Sequence, residues 1–210
     1  MLVICPSRGR PGNIDALLEC WKLTEADAEL VVCVDDDDPT AGDYPADVTI
    51  GPRTTLGGWT NRVAVARCHD HDIIGVIGDD VRPRSLHWDA ELAAAMVPFG
   101  VVYGNDLHQS ERMPTHPFLD AEIVRRLGYM AAPGIDHLYL DDAWKAIGEH
   151  LGTLTYCPNV ILEHVHPHAG KAPMDEGYRQ VNARHAYKEG KRQLARYLSG
   201  QFESDMALLA

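Results

Sequence analysis

Short apolar runs alternate with amphipathic segments along this chain. A run of consecutive apolar residues that is too short to cross a membrane is typical of a strand buried on both faces of a sheet. Such runs predict strands at residues 2–5, 30–34, 49–50, 73–77, 99–103, 153–156 and 160–162. Apolar residues that recur every three or four positions predict helices between these strands.

The predicted helices begin at residues with capping or turn chemistry. Asn13 is the expected N-cap of the first helix, and Asp141 or Asp142 is the expected N-cap of a later one. The helices are predicted at residues 13–21, 57–69, 85–96, 123–127, 142–151 and 174–198, and the chain from residue 199 is expected to fray. Strands that alternate with helices predict an α/β fold with a parallel sheet and right-handed crossovers.

Acidic residues stand where two of the predicted strands end. The run at 73–77 leads through Gly78 into Asp79 and Asp80, and the run at 30–34 leads into Asp35 and Asp36. Ligands bind outside the carboxyl ends of the strands in an open α/β sheet, so Asp79 and Asp80 lie where a metal ion or a charged ligand is expected. The cluster that begins at Asp35 is either a solvated acidic loop or an acceptor of hydrogen bonds from a base or a ribose.

Histidines follow the last predicted strand at every second position. In an extended chain alternate side chains share a face, so His164, His166 and His168 can point the same way. Single histidines are mostly structural, whereas three at this spacing favour metal coordination. The polar stretch 107–117 carries two more histidines and is predicted to be a mobile loop that faces the substrate.

Basic residues occur in two places that suit an anion. The loop after the first strand contains Pro6, Ser7, Arg8 and Arg10 and leads into a helix N-terminus, although it lacks the spacing of a Walker loop. The C-terminal segment is either a solvated helix face or a contact for a phosphate or an acceptor. Its basic residues are Lys171, Arg179, Arg184, Lys188, Lys191, Arg192 and Arg196.

Composition narrows the class of protein. The 210 residues are 45% hydrophobic and carry a formal net charge of −12, which argues against a non-specific nucleic-acid binder but not against a local basic patch. No stretch approaches the length of a membrane-spanning helix, and no signal peptide opens the chain, so a cytoplasmic protein is expected. The five cysteines are scattered and are expected to be buried free thiols.

These segments, in this order, resemble the GT-A fold glycosyltransferases, and most of all the large family of inverting enzymes that use nucleotide sugars. The resemblance covers residues 1–170, which are expected to form the catalytic domain, with 171–210 packed on it as a C-terminal helix and tail. Residues 3–8 look like the family's first strand and its Pro-Ser turn, residues 32–36 like its second strand and acid, and residues 78–81 like its metal-binding region.

The resemblance implies roles for individual residues. Asp80 takes the position of the metal-ligating acid, and His164 or His166 that of the late histidine ligand, with Mn²⁺ or Mg²⁺ as the cation. The second member of the Asp141–Asp142 pair is the expected base, with Asp141 as the alternative. The donor, most simply a UDP-sugar, is expected to contact Pro6, Ser7, Arg8, Arg10, Asp35, Asp36, Asn61, Asp79 and Lys171.

The chain departs from the family pattern at two positions. Gly78 replaces the first acid of the metal-binding motif, and Asp141 replaces a glutamate.

The segments 113–117, 140–144 and 163–167 also look similar to small glycosyltransferases encoded by bacteriophages, which would place the protein in the host cytoplasm. A nucleotidyltransferase and a nucleotide-binding protein without catalysis are the alternatives.

The acceptor is left open by the sequence. A hydroxyl-bearing acceptor is required, and a hydroxymethylated pyrimidine in phage DNA, a protein and a saccharide are the candidates. The acidic net charge counts against long duplex DNA, whereas the basic C-terminal segment favours it.

Overall fold

The computed structural model describes residues 1–45 and 47–210, and its strands form one mixed sheet. The strands are β1 (Leu2–Ser7), β2 (Glu29–Asp35), β3 (Thr49–Gly51), β4 (Ile73–Val76), β5 (Val81–Pro83), β6 (Val101–Asn105), β7 (Pro117–Asp120) and β8 (Leu154–His164). The helices are α1 (Pro11–Leu23), α2 (Leu56–Arg67), α3 (Trp88–Ala95), α4 (Ala121–Leu127), α5 (Leu140–Leu151), α6 (Glu176–Val181), α7 (Arg184–Ser199) and α8 (Phe202–Leu209).

The order of the strands across the sheet is β3-β2-β1-β4-β7-β6-β8-β5. Strands β3, β2, β1 and β4 run parallel, as do β6 and β8. Apolar side chains on both faces of the sheet are covered by helices and form two buried clusters. The predicted α/β class and the mostly parallel sheet with flanking helices are therefore confirmed.

Two strands run against the direction of the parallel ones. Strand β7 runs antiparallel between β4 and β6, and β5 runs antiparallel along the end of β8. Strand β7 begins at Pro117, the last residue of the stretch predicted to be a loop. The sequence prediction missed this strand because its apolar run is short and directly follows polar residues. The two strands predicted at 153–156 and 160–162 form the single strand β8.

Several helix boundaries also differ from the sequence prediction. Helix α1 begins one turn earlier than predicted, after Arg10, which leaves Asn13 inside the helix rather than at its cap. The N-cap of α5 is Tyr139 in a left-handed conformation, with φ of 74°, so neither Asp141 nor Asp142 caps this helix. The single helix predicted at 174–198 is divided at Asn182 into α6 and α7.

The C-terminal residues that were expected to fray form a packed helix. Met206 and Leu209 of α8 are buried in the same apolar cluster as residues of β1 and β4. The carboxylate of Asp205, 1% exposed, accepts hydrogen bonds from the phenols of Tyr129 and Tyr197. The expectation of a frayed end is wrong because this helix places its apolar residues and one satisfied acid against the core.

All five cysteines are free thiols, as predicted, and all but Cys157 are buried. Within residues 1–45 and 47–210, no helix has the length and apolar character needed to traverse a bilayer.

Candidate functional site

The site is built around Asp80, which lies in the turn between β4 and β5. Strand β5 pairs with β8 so that Val81 is opposite His164, and the Val165 N–H donates to the Asp80 carbonyl at 2.9 Å. This pairing brings the end of β8 against the Asp80 carboxylate, where Nε2 of His164 donates to Oδ2 at 3.1 Å. The phenol of Tyr178 donates to the same oxygen at 2.7 Å.

The carboxylate of Asp80 is held in its charged form. Burial alone would raise its pKa, but the hydrogen bond and charge of His164, with the hydrogen bond from Tyr178, hold the pKa well below its usual range. Burial likewise lowers the pKa of His164, and the adjacent Asp80 carboxylate more than offsets this and raises it. Asp80 is only 6% exposed, so it presents a buried carboxylate anion.

Three predicted metal ligands come together here. Asp80, His164 and His166 each offer a donor atom, and these atoms lie within 4.8 Å of one another. Desolvation and the neighbouring His164 lower the pKa of His166 to about 4, which leaves its imidazole in the neutral form that metals bind. His168 is exposed and lies outside this group.

The donor atoms fit a divalent cation. Nδ1 of His164 is buried and has no hydrogen-bond partner among the residues that the structure describes. A buried polar atom without a partner is costly, and a bound cation would satisfy it.

The neighbouring acid, Asp79, is engaged by the loop after β1. Its Oδ2 accepts a 2.7 Å hydrogen bond from the Ser7 hydroxyl, and its Oδ1 accepts from Arg10 and Asn13 at 3.3 Å each. Burial and the nearby Asp80 raise the pKa of Asp79. Ser7 and Arg10, which are expected to contact the donor, therefore do lie beside the predicted metal-binding turn.

Arg10 connects this turn to the C-terminal segment. Its guanidinium makes two hydrogen bonds with Asp175, at 2.8 and 2.9 Å, and lies over the ring of Tyr178 at 3.9 Å from the centroid. Helix α6 is thereby tied to the loop after β1, next to Asp80. Sequence reasoning missed Asn13, Asp175 and Tyr178, because no short motif marks them.

A cavity of about 290 Å³ opens between the β1–α1 loop, Asp80 and the segment before α6. It combines the N-terminal end of α1 with the cationic side chains of Arg10 and Arg82, a combination that suits a phosphate group. The residues that line it are Gly9, Arg10, Pro11, Gly12, Asn13, Asp80, Arg82, Val165, Ala172, Pro173, Asp175 and Tyr178.

The carboxylate of Asp35 is already satisfied within the protein. Its Oδ1 accepts from Nε1 of Trp59 at 2.8 Å and from the Thr54 N–H at 3.2 Å, and its Oδ2 accepts from Arg8 at 3.2 Å. Asp36 is exposed at the same strand end. Of the two predicted base contacts, Asp36 therefore has the freer carboxylate.

Two other predicted donor residues have partners elsewhere. The side-chain amide of Asn61 donates to the Ala131 carbonyl and accepts from the N–H groups of Met130 and Ala131 at 2.7–2.8 Å, which fixes the segment after α4. Lys171 forms a 2.8 Å ion pair with Glu163 on β8. Pro6 lies within β1, paired with Cys33 of β2.

The polar stretch after β6 is anchored by Asp106. Its Oδ1 accepts from the N–H groups of His108, Gln109 and Ser110, and its Oδ2 accepts from the Thr115 hydroxyl. The Asp106 carbonyl also accepts from the His164 N–H at 2.9 Å. This acid, which sequence reasoning missed, ties the stretch to the metal-ligand strand.

Asp141 and Asp142 lie in the first turn of α5. Desolvation and the charge of Asp142 raise the pKa of Asp141 to about 6, and desolvation also raises that of Asp142. In the segment before this helix, burial lowers the pKa of His137, and the charge of Asp80 opposes part of that shift.

Solved structures share this architecture. A mannosyltransferase from Pyrobaculum calidifontis, solved with GDP-Man and Mn²⁺, is 15% identical and matches with a TM-score of 0.52 over 99% of this chain and 77% of its own. Glucosyl-3-phosphoglycerate synthase from Mycobacterium tuberculosis, solved with Mn²⁺, UDP and phosphoglyceric acid, is 13% identical, with a TM-score of 0.59 over 91% of this chain and 77% of its own. The chain has the GT-A fold.

A third solved structure is similar to this chain. S. aureus TarS in complex with UDP is 12% identical and has a TM-score of 0.55 over 94% of this chain and 71% of its own. No protein-family model and no curated protein matches the sequence. At these identities the GT-A fold is shared, while activity has to be argued from the site.

Proposed function

We propose that this protein is a metal-dependent glycosyltransferase that moves a sugar from a nucleoside-diphosphate sugar, in the first place a UDP-sugar, to a hydroxyl acceptor with inversion. One observation carries the proposal. Asp80, His164 and His166 can together hold a metal ion at the strand end, beside a cavity that Arg10 and Arg82 line together with Asp80 and Asp175, in a chain with the GT-A fold. The synthase and the mannosyltransferase of the same fold were solved with nucleotides and Mn²⁺, and the synthase also with Mg²⁺.

The donor's diphosphate would lie in the cavity beside Asp80. The N-terminal end of α1 and the guanidinium groups of Arg10 and Arg82 would bind its oxygens. A divalent cation held by Asp80, His164 and His166 would supply the Lewis acid that neutralises the departing diphosphate. Asp79 would act on the donor through Arg10 and Ser7, because its carboxylate accepts hydrogen bonds from both side chains and orients them.

The acceptor hydroxyl requires a carboxylate base. We assign this role to Asp142, with Asp141 as the alternative, because both acids lie at the start of α5 and both have raised pKa values. A base with a raised pKa is a stronger proton acceptor once it is ionised.

The acceptor itself is proposed to be anionic, and hydroxymethylated pyrimidine in phage DNA fits this chemistry better than a neutral saccharide. Helix α7 packs against the turn before α5 so closely that a Cβ on Gly190 would lie 2.9 Å from the Leu138 carbonyl. The side of α7 that carries Gly190 therefore faces the turn that precedes the proposed base, and the other side of the helix is open to solvent. It exposes Arg184, Lys188, Lys191, Arg192 and Arg196.

The basic face of α7 is testable by a gel shift with modified DNA. Neutralisation of Arg184, Lys188, Lys191 and Arg192 should abolish a salt-sensitive complex. The matched control neutralises Arg53, Arg67, Arg125 and Arg126, which have acidic partners elsewhere. A complex that survives the α7 changes, or no complex at low salt, would remove DNA as the acceptor.

The experiment that tests the function is a thermal-shift screen of nucleotide sugars with and without Mn²⁺, followed by product analysis. A donor that binds the folded state raises the melting temperature. Asp80→Ala should abolish the metal-dependent part of the shift and the activity, and Asp142→Asn should abolish transfer while donor affinity remains. Asp15→Asn on the exposed side of α1 is the control.

Turnover of sugar 1-phosphate with a nucleoside triphosphate, without transfer from a nucleotide sugar, would instead identify a nucleotidyltransferase. Nucleotide-sugar binding without transfer or hydrolysis would identify a binding protein.

A further inference from the structure

Arg10, which the proposed function assigns to the donor's diphosphate, is bonded to acids in this structure. Its Nε and Nη2 atoms donate to the two carboxylate oxygens of Asp175 at 2.9 and 2.8 Å, and its Nη1 atom donates to Asp79 at 3.3 Å. All three nitrogen atoms of the guanidinium therefore face a carboxylate. A phosphate that binds the fork formed by Nε and Nη2 has to take the place of Asp175.

The start of α6 holds the Asp175 carboxylate at Arg10. Asp175 is the N-cap of this helix, and its Oδ1 atom also accepts from the Tyr178 N–H at 2.8 Å. Gly177 allows the first turn to pack on the guanidinium, because a Cβ at this position would lie 3.0 Å from Nη2 of Arg10. The ring of Tyr178 covers one face of the same guanidinium. The contact between Arg10 and Asp175 is therefore supported by the fold of the surrounding segment.

Of the two acids at Arg10, Asp175 is the one that can leave. Its side chain is 43% exposed and can turn into water. The side chain of Asp79 is only 6% exposed and also accepts hydrogen bonds from Ser7 and Asn13. A buried carboxylate that loses a partner is left desolvated, whereas a half-exposed one regains water, so the release of Asp175 costs less.

Asp175 also cancels positive charge in the cavity beside Asp80. The charged side chains in the cavity wall are Arg10, Arg82, Asp80 and Asp175, and their formal charges balance to zero. Like charges in one site repel, so an anion is opposed as long as the Asp175 carboxylate lines the cavity. When this carboxylate turns away, the wall carries a net positive charge.

We propose that Asp175 is an internal competitor for the donor's phosphate and thereby sets the affinity of the cavity for anions. In the free protein its carboxylate occupies the fork of Arg10, and a diphosphate takes this fork over while the Asp175 side chain turns towards solvent. The hydrogen bond from Tyr178 to Asp80 keeps α6 in place during the exchange. The inference deepens the proposed function and rests on it for the position of the diphosphate at Arg10.

The test is calorimetric titration of the full-length protein with UDP in the presence of Mn²⁺, and with pyrophosphate in the absence of metal. Asp175→Asn keeps a good N-cap, so α6 should remain formed. An internal contact lowers the apparent affinity by the fraction of protein that is free of it, so Asp175→Asn should bind both ligands about five- to tenfold more tightly. Equal or weaker binding of both would overturn the proposal, because weaker binding would make Asp175 a residue that positions Arg10 for the phosphate.

The matched control is Asp70→Asn. It removes an exposed acid that pairs with Arg67, and it should change either affinity by less than about twofold. A gain in Asp70→Asn as large as that in Asp175→Asn would show a general effect of net charge and would contradict the proposal.

A double-mutant cycle shows whether the effect passes through Arg10. Arg10→Gln removes the guanidinium for which the carboxylate and the phosphate compete. In this background the gain from Asp175→Asn should fall to about twofold or less. The same gain with and without Arg10 would overturn the proposal.

The inference and the proposed function fail separately. Sugar transfer from a nucleotide sugar, with a UDP affinity that Asp175→Asn leaves unchanged, would remove the competition and keep the function. Pyrophosphate binding that tightens in Asp175→Asn, without binding of any nucleotide sugar to either protein, would support the competition and remove the function.

Discussion

The phenol of Tyr178 and the carboxylate of Asp80 are 98 residues apart in the chain and form a buried 2.7 Å hydrogen bond. The acceptor is Oδ2, the same oxygen that faces His164. Tyr178 belongs to α6, and Arg10 lies over its ring. One side chain therefore joins the C-terminal segment to the proposed metal ligand, and burial together with the Asp80 charge raises the pKa of its phenol, which stays protonated as a donor.

Replacement of this phenol should weaken metal binding. Hydrogen bonds that orient a ligating carboxylate are worth about 10–100-fold in metal affinity, so Tyr178→Phe should reduce Mn²⁺ affinity by about tenfold. Calorimetry on the metal-free protein measures this. Tyr187→Phe, which removes a phenol that contacts the side chain of Asn182, is the control and should bind Mn²⁺ normally. Equal binding in Tyr178→Phe would show that the phenol does not contribute to metal affinity, and tighter binding would show that it competes with the cation.

Asp106 should be essential for the conformation of the stretch before β7. Asp106→Ala leaves the N–H groups of His108, Gln109 and Ser110 without their acceptor and should cost about 2–4 kcal/mol of stability. Asp106→Asn keeps a carbonyl oxygen for these donors and can donate its amide to Thr115, so its cost should be below about 1.5 kcal/mol. Urea unfolding measures both. Similar losses for Ala and Asn would contradict the assignment of the stabilisation to Oδ1.

Local patterns marked the segments of the candidate metal centre, and the family resemblance selected residues within them. The end of an apolar run marked Asp79 and Asp80 together, and alternation marked the three histidines after β8, because strand periodicity is a short-range property. The resemblance then favoured Asp80 of the acid pair and the first two histidines. Strand β7 was missed because Pro117 and a run of only four residues carry little signal of their own. Its position in the sheet comes from pairing with β4 and β6, which are distant in sequence.

The parts of the site that the sequence did not predict depend on contacts between distant segments. Arg10 and Asp175 are 165 residues apart, and their pairing depends on how α6 crosses the sheet, which no pattern in either segment specifies. Asn61 was assigned to the donor by resemblance alone, whereas its hydrogen bonds are with the backbone at 130–131. For α8 a signal did exist, since Phe202, Met206 and Leu209 have helical spacing, and the expectation of a frayed end outweighed it.

The packing of α8 predicts different effects for two adjacent leucines. Leu209 is 2% exposed, so Leu209→Ala should cost about 2–4 kcal/mol through lost burial and a residual cavity. Leu208 is 52% exposed, and Leu208→Ala should stay within about 0.5 kcal/mol of the unchanged protein. Equilibrium unfolding in urea compares them. Equal effects would mean that the C-terminal helix is frayed in solution.

The pair at the start of α5 should make stability depend on pH in a defined direction. The pKa of Asp141 is raised to about 6 by desolvation and by the charge of Asp142, so the folded protein holds this proton more tightly than the unfolded chain does. Stability from the protonated form is complete below the ordinary Asp pKa of about 4 and is lost as the pH rises through about 6. The charge of Lys145 opposes the rise in the pKa of Asp142, and the charge of Asp141 contributes to the raised pKa of Tyr187.

Asp141→Asn mimics the protonated acid and removes this loss. At pH 8 the variant should be more stable than the unchanged protein by on the order of 1 kcal/mol after allowance for solvent screening, and at pH 4 the difference should vanish. Urea unfolding at the two pH values measures it, with Asp15→Asn as a control that should change neither. Transfer activity that depends on an ionised Asp141 should fall as the pH drops through about 6. A variant with equal stability at both pH values would show that Asp141 is ionised as easily as in the unfolded chain, and would leave Asp142 as the group that sets the pH profile.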